Sequence, residues 1–406
     1  MKSGYLTFIL LIVLLFHNSR SQTNISEFKL GNEVLLDSIH LLRGKNVGII
    51  TNNTGITRSG NHLISELIDK NVHLIRIFTP EHGFYTDNSD ISSFNEIQIV
   101  SLYGKSNNIS KKELNDLDIL IYDIQDLGTR FYTYTSTLYL TMSDAAKNGK
   151  EYIICDRPSI TDLNYSGGYI LDNSFSSFVG LIPVPVCYGM TVGELGLYLK
   201  EFIENEYGTM NLKVMKMQGY TRNTDFQSLK LKWINPSPNI RSVEAGRLYS
   251  SLCFLEGTNI SEGRGTDDPF TLFGSPFLVS KDIIDELNTY RFEGIEFEET
   301  EFIPLVNFAS SGPKYESELC KGLKINLQDY TKYSPMKLAV AILVSLKKMY
   351  LEFQWTNKNF IDKLAGTDRL RIKINEGATV EQIMEDWYDE IENFNIKKEK
   401  ILLYNK

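Results

Sequence analysis

Glu81 and His82 are the residues of this sequence best placed for acid–base chemistry. They stand between Pro80 and Gly83, directly after the apolar run 72–78, which predicts a β-strand. A carboxyl group at the edge of a cleft can be partly desolvated, which raises its pKa and lets it act as a general acid. The alternative is an ordinary loop glutamate beside a histidine that bonds the backbone.

A second polar segment follows another apolar run, 118–122. Asp126 could act in catalysis, or it could close the loop by accepting backbone N–H groups. Arg130, Tyr132 and Tyr134 alternate along the chain, so an extended conformation would place them on one face. One guanidinium and two phenols on one face suit an acidic, hydroxylated ligand. The alternative is a half-buried strand or a helix start whose tyrosines pack on the core.

Three more candidates lie further along the chain. The proline-rich segment 235–238 predicts a rigid loop that could direct Asn239 into a cleft. Glu262 and Arg264 lie between glycines, which let a ligand approach the backbone closely. A salt bridge within a tight loop is the alternative for this pair.

Alternating strands and helices must position these residues. Apolar runs that predict strands occur at 46–51, 72–78, 96–102, 118–122 and 152–155, and helical periodicity occurs at 62–69, 111–117 and 137–147. This order indicates βαβ units and a mostly parallel, Rossmann-like sheet. Such sheets bind ligands beyond the carboxyl ends of their strands, where Asn53 and Tyr103 also stand.

Length and composition indicate a globular protein with two domains. The chain has 406 residues, of which 42% are hydrophobic and 23% charged. We predict a Rossmann-like domain over 22–250 and a smaller α+β domain over 251–406. The formal net charge of -9 disfavours nucleic acid as a partner, because phosphate binding needs a clustered basic surface.

The usual cofactor and metal motifs are missing from the sequence. Residues 52–55 (NNTG) stand where a nicotinamide or flavin enzyme would carry a glycine-rich phosphate loop. The sequence has no P-loop, nucleophile elbow or HExxH motif, and its four cysteines form no CxxC pair. We therefore expect no cofactor and no metal, which disfavours a nucleotide-dependent oxidoreductase.

The N-terminus has the features of a signal peptide. Lys2 precedes an apolar run at 5–16, and Ser19 to Ser21 places small residues at the positions that a signal peptidase reads. We predict that residues 1–21 are removed and that the mature protein, which begins at Gln22, is periplasmic or secreted. No later run is long enough to cross a membrane, so we expect no membrane insertion after cleavage.

Several longer motifs together resemble one known family. They are TPEHGF (79–84), SLYG (101–104), DIQDLGTRFYTY (123–134), DRP (156–158), SFVG (177–180), GMTVGE (189–194), PSPN (236–239), EGTNISEGRG (256–265) and AGTDRLR (365–371). In this order they resemble the NamZ family of exo-β-N-acetylmuramidases over nearly the whole mature chain.

The resemblance implies a Rossmann-like domain, a smaller C-terminal domain and an active site in the cleft between them. It also implies release of N-acetylmuramic acid from the non-reducing ends of peptidoglycan fragments. The suspected catalytic glutamate of the family corresponds to Glu81, which would protonate the leaving oxygen beside His82. Asp126 and Glu262 are the candidates for the second carboxylate, and Arg130 would pair with the lactyl carboxylate of muramic acid.

This chain departs from the family pattern at two places. Tyr85 and Thr86 replace the usual Arg-Gly, and the Ala-Gly-Glu that follows it in the family is missing. Tyr188 stands where many relatives have histidine. These departures keep a second interpretation open, a non-catalytic muropeptide-binding protein on the same scaffold.

Overall fold

The computed structural model describes residues 28–84, 97–104, 106–307, 309–310 and 312–406. The predicted signal peptide and the altered loop that begins at Tyr85 lie outside these residues.

A parallel sheet forms the centre of the N-terminal domain. Its strands are β1 (Val47–Thr51), β2 (Leu74–Thr79), β3 (Gln98–Ser101), β4 (Ile119–Asp123), β5 (Glu151–Cys155) and β6 (Leu212–Met215). Their order is β3-β2-β1-β4-β5-β6. Ile49 of β1 lies between Ile77 of β2 and Ile121 of β4. β1 and β4 are buried along their whole length, because helices cover both faces of the sheet.

Helices pack on the two faces of this sheet. They are α1 (Gly31–Asp37), α2 (Leu63–Asp69), α3 (Lys111–Leu114), α4 (Tyr134–Lys147) and α5 (Val192–Tyr207). One face buries Leu35 and Leu67 against the central strands, and the other packs against α4 and α5. Thr191 and Glu194 form a capping box at the start of α5.

A smaller antiparallel sheet forms the centre of the C-terminal domain. The elements are α6 (Val243–Leu252), β7 (Leu272–Ser275), α7 (Ser280–Asn288), β8 (Ile295–Phe302), β9 (Cys320–Leu327), α8 (Pro335–Met349), α9 (Phe360–Ala365), α10 (Arg369–Asn375), α11 (Val380–Glu385) and α12 (Tyr388–Lys398). The strand order is β7-β9-β8. The predicted fold class, a Rossmann-like sheet with a smaller α+β domain, is confirmed.

The two domains share one hydrophobic core. Tyr198 of α5 lies edge-on to Phe394 of α12, with ring centroids 5.4 Å apart. Near the C-terminus, the Tyr404 hydroxyl donates a 2.6 Å hydrogen bond to Asp156, which follows β5. A large apolar contact of this kind holds the two domains together more firmly than a polar contact would.

The segment from Arg130 to Tyr134 differs from its predicted extended form. It is a tight turn that leads into α4, whose first residue is Tyr134. The three side chains therefore do not alternate as in a strand, and the alternative of a helix start with core-packed tyrosines is correct. Burial of Tyr132 and Tyr134 decides the conformation, because both rings complete the core beneath the sheet edge.

Candidate active site

Glu81 lies just beyond the carboxyl end of β2, in a half-buried position. The Thr133 hydroxyl donates a 2.7 Å hydrogen bond to its Oε2 atom. Thr133 precedes the first residue of α4, yet its side chain caps no helical N–H. The Thr133 hydroxyl therefore orients the Glu81 carboxyl group instead of capping the helix.

Tyr103 contacts the same carboxyl group from the loop after β3. Its side chain is half exposed, and its ring centroid lies 6.1 Å from that of Phe178. The hydrogen bond to Glu81 and the negative charge of that residue raise the pKa of the Tyr103 phenol, and desolvation adds to this. Tyr103 therefore stays protonated and donates to Glu81. The described hydrogen-bond partners of the Glu81 carboxyl group are thus hydroxyls from two different elements.

His82 follows in a left-handed backbone conformation, with φ at +69°. Pro80 accepts a 3.0 Å hydrogen bond from the Gly83 amide, which closes the turn around His82. The His82 side chain is exposed to solvent, yet desolvation by the surrounding protein lowers the pKa of its imidazole. The charge of Glu81 opposes this shift and that of Arg264 reinforces it. His82 is therefore mainly neutral at pH 7 and able to accept a proton.

Tyr134 supports the turn from below. Its hydroxyl lies 2.5 Å from the carbonyl oxygen of Pro236 and 3.3 Å from that of Glu81, and it accepts a hydrogen bond from Asn52 at 3.1 Å. Tyr132 packs edge-on against it, with ring centroids 4.6 Å apart. Burial raises the pKa of both phenols. These two tyrosines, predicted to bind substrate, instead form the base on which the Glu81 turn rests.

Asn53 and Asn239, two further predicted substrate contacts, are both buried. Each donates its amide to a backbone carbonyl at 2.8 Å, Asn53 to Asn235 and Asn239 to Ala309. Each Oδ1 atom is buried without a hydrogen-bond donor from the described part of the chain. A buried acceptor without a donor is unfavourable by about 1–3 kcal/mol, so a ligand hydroxyl that reached either oxygen would gain from the bond.

Arg264 lies in the C-terminal domain, in the segment before β7. Its Nη2 atom donates to Glu256 at 2.7 Å, and its guanidinium lies over the Phe270 ring, 5.0 Å from the centroid. Burial raises the pKa of Glu256, and the Arg264 charge opposes that shift. Because Arg264 also affects the pKa of His82, its charge reaches the Glu81 turn.

Glu262 is held between two cations. It is 3% exposed, and its two oxygens pair with Arg264 at 3.3 Å and with Lys314 at 2.9 Å. These contacts match the alternative to ligand binding, in which Glu262 and Arg264 form a salt bridge within a tight loop. Glu262 orients Arg264 rather than facing Glu81.

Asp126 lies in a buried loop after β4. Its Oδ2 atom accepts hydrogen bonds from the Tyr188 hydroxyl and, at 3.1 Å, from the Gly128 amide. Burial raises the pKa of this carboxyl group, and the hydrogen bonds from Tyr188 and the backbone oppose the shift. The loop-closing alternative fits these contacts. Tyr188, the residue that departs from the family pattern, is thus the partner of Asp126.

Arg130 is not at the protein surface. It is fully buried, and its guanidinium donates to the carbonyl oxygens of Tyr169, Val184 and Leu364 at 2.7–3.0 Å. A guanidinium with no exposed surface cannot reach a substrate carboxylate. The predicted role of Arg130 in substrate binding is therefore wrong. Its role is structural: the bond to Leu364 connects the N-terminal domain to the C-terminal domain.

The structure thus brings four side chains together at one edge of the sheet. Glu81 and His82 come from the loop after β2, Tyr103 from the loop after β3, and Arg264 from the C-terminal domain. Thr133 completes the set and was missed, because nothing in its sequence context distinguishes it from a helix cap. Among the residues that the structure covers, no group of His, Cys, Asp and Glu could hold a metal ion. Over the same residues, no helix is long and apolar enough to cross a membrane.

The fold and the site define a two-domain α/β protein with a hydrogen-bonded carboxyl group, that of Glu81, at the carboxyl edge of its parallel sheet. Residues 47–244 match the family model for the N-terminal domain of the exo-beta-N-acetylmuramidase NamZ, and residues 247–404 match that for its C-terminal domain. The chain belongs to the NamZ family, as its motifs predict.

Characterised and solved relatives agree with this assignment. The chain is 35% identical over 373 residues to the peptidoglycan beta-N-acetylmuramidase NamZ of Bacillus subtilis (strain 168), covering 89% of this chain and 88% of the relative. Crystal structures of two DUF1343 family proteins from Bacteroides fragilis NCTC 9343 have similar folds. One has a TM-score of 0.85 at 30% identity, covering 93% of this chain and 99% of the other. The second has a TM-score of 0.77 at 29% identity, covering 94% and 99%.

Proposed function

We propose that this protein is a glycoside hydrolase that releases N-acetylmuramic acid from the non-reducing ends of peptidoglycan fragments. The observation that carries the proposal is the Glu81 carboxyl group, held by the Thr133 hydroxyl just beyond the carboxyl end of β2 and next to His82, whose pKa the charge of Arg264 lowers. The relative from Bacillus subtilis, a peptidoglycan beta-N-acetylmuramidase by name, supports the substrate class.

Glu81 acts as the general acid in this proposal. Glycoside hydrolysis passes through an oxocarbenium-like transition state, so the leaving oxygen needs a proton as the glycosidic bond breaks. In its protonated form, the Glu81 carboxyl group gives its proton to that oxygen. A water molecule then adds its hydroxyl to the released sugar, and the remaining proton of that water returns to the Glu81 carboxylate. The bonds from Thr133 and Tyr103 fix the direction in which the proton is delivered, which is how positioning lowers a barrier.

Arg264 is the residue that we assign to the lactyl carboxylate of muramic acid. Its side chain is 31% exposed, whereas Arg130 is completely buried. Its Nη2 atom bonds Glu256 and its Nε atom pairs with Glu262, so Nη1 is the nitrogen that we assign to the substrate carboxylate. A substrate without the lactyl group would lose this ion pair.

Incubation of the purified protein with the disaccharide N-acetylmuramyl-N-acetylglucosamine tests the function. The proposal predicts free N-acetylmuramic acid among the products by mass spectrometry. The matched disaccharide with N-acetylglucosamine at the non-reducing end should react at least tenfold more slowly. Binding of the first disaccharide without cleavage would favour the non-catalytic interpretation instead.

We also propose that the protein is exported. The support is Lys2, the apolar run 5–16 and the small residues Ser19 and Ser21. N-terminal sequencing of protein from its native host should begin at Gln22. A mature pool that begins at Met1 would contradict export.

A further inference from the structure

A second groove opens at the carboxyl edge of the parallel sheet, apart from Glu81. It encloses about 460 Å³, its open mouth included. Its walls are the loop after β1, polar side chains that follow β4 and β5, and the segment 231–234. β1 and β4 are the neighbouring strands at which the strand order reverses, and open α/β sheets bind ligands at such a switch point.

The charges that line this groove are positive. Among its described lining residues, Arg58, Arg157 and Lys232 are charged and none is acidic. Glu33 pairs with Arg58 at 2.7 Å and Asp123 with Arg157 at 2.6 Å. Lys232 is exposed and forms no ion pair within the described part of the chain. Because Arg58 and Arg157 are each paired with a carboxylate, Lys232 is the lining residue whose charge favours an anionic ligand in a protein of formal net charge -9.

Trp233 adds a flat apolar surface to the same groove. Its half-buried ring is held edge-on by Phe226, with centroids 5.8 Å apart. An indole face packs well against the apolar face of a sugar ring, and a neighbouring cation can pair with a carboxylate on that sugar. The combination of Trp233 and Lys232 therefore fits an acidic saccharide.

One backbone segment connects this groove to Glu81. Trp233 and Ile234 line the groove, and the Asn235 carbonyl accepts from Asn53. The Pro236 carbonyl lies next to the Tyr134 hydroxyl, which in turn is 3.3 Å from the Glu81 carbonyl oxygen. Three residues span at most about 10 Å of extended chain, and the two contacts of the Tyr134 hydroxyl add 2.5 and 3.3 Å, so the groove lies within about 16 Å of the Glu81 backbone, the length of about three sugar units. A glycan with its scissile bond at Glu81 could therefore place a following sugar in the groove.

We propose that the groove binds a carboxylate-bearing saccharide unit on the leaving-group side of the fragment that is cleaved at Glu81. This proposal rests on the function proposed above and adds a requirement for the rest of the substrate. The carboxylate is either the lactyl group of an internal muramic acid or the free carboxyl group of a peptide attached there.

The test compares Lys232→Gln with the matched control Lys230→Gln. Lys230 is exposed in the same segment but does not line the groove. For each protein, kcat/KM is measured on a tetrasaccharide of alternating N-acetylmuramic acid and N-acetylglucosamine and on an aryl N-acetylmuraminide, which has no second sugar. The kcat/KM for the tetrasaccharide, divided by that for the aryl substrate, should fall about fivefold in Lys232→Gln, which corresponds to about 1 kcal/mol. In Lys230→Gln this ratio should stay within about twofold of the wild-type value.

Two forms of the tetrasaccharide distinguish the sources of the carboxylate. If Lys232→Gln lowers the ratio only for the peptide-free tetrasaccharide, Lys232 binds the lactyl carboxylate. If it lowers the ratio only for the peptide-bearing form, Lys232 binds the carboxyl group of the peptide. An unchanged ratio with both forms would overturn the proposal. If the wild-type protein cleaves neither substrate, the proposed function fails, and calorimetric binding of the tetrasaccharides then tests the groove alone. About fivefold weaker binding by Lys232→Gln would support the groove, and equal or undetectable binding would overturn it.

Discussion

Replacing Arg130 by methionine tests the structural role that corrects its predicted role in binding. The substitution removes three hydrogen bonds to backbone carbonyls, one of which crosses to the other domain. A buried carbonyl oxygen that loses its donor is unfavourable by about 1–3 kcal/mol, so the loss of three such bonds should lower the free energy of unfolding by about 3–5 kcal/mol. Unfolding entropy for a chain of this length is about 0.8 kcal/mol/K, so Tm should fall by about 4–6 °C.

Differential scanning calorimetry and urea titration measure this loss. Arg241→Met is the control, because its ion pair with the exposed Asp267 should contribute less than about 1 kcal/mol. Arg130→Lys should also destabilise the protein, since one ammonium group cannot replace the whole fork. An Arg130→Met protein of wild-type stability would refute the structural role. If Arg130→Lys raises KM without changing stability, Arg130 binds the substrate carboxylate, as the sequence predicts.

Three further predictions concern single side chains. Arg264→Lys should raise KM about tenfold for muramic acid substrates but not for their N-acetylglucosamine analogues in steady-state assays. Thr133→Val should lower kcat about tenfold with unchanged circular dichroism, because Glu81 loses its orienting bond; an unchanged kcat would contradict this. Lys398 is buried, and burial lowers its folded pKa to about 8, so protons bind better to the unfolded state between pH 8 and 10.5. Urea titrations should therefore show wild-type stability rising relative to Lys398→Met by about 2 kcal/mol from pH 8 to 10, and a constant difference would refute this.

Most of the sheet could be predicted from the sequence, because buried parallel strands are continuous apolar runs. β1, β2, β4 and β5 each lie within one residue or two of the predicted bounds. β6 was not predicted, since a four-residue edge strand has little apolar pattern. The extended form predicted for 130–134 failed because alternate spacing also occurs in a turn before a helix, where burial of the aromatic rings decides the conformation.

The candidate site was only partly predictable for a related reason. The rule that ligands bind beyond strand ends correctly placed Glu81 and Tyr103 at one edge of the sheet. The environment of a charged side chain depends on partners far away in the chain. Lys314, which pairs with Glu262, is 52 residues away from it, and Leu364, which accepts from Arg130, is 234 residues away. The sequence around Glu262 and Arg130 therefore could not show that Lys314 and Leu364 bind their side chains.

The Glu81→Gln variant provides the most direct test of the account. The measurement is the rate of N-acetylmuramic acid release from N-acetylmuramyl-N-acetylglucosamine, with Glu296→Gln, an exposed position on β8, as the control. Glutamine keeps the size of the side chain but carries no acidic proton, so kcat should fall by about 10²–10⁴-fold while the urea midpoint stays near that of wild type. A Glu81→Gln protein with near-normal kcat, or one that is inactive only because it no longer folds, would contradict the assignment of Glu81 as the general acid.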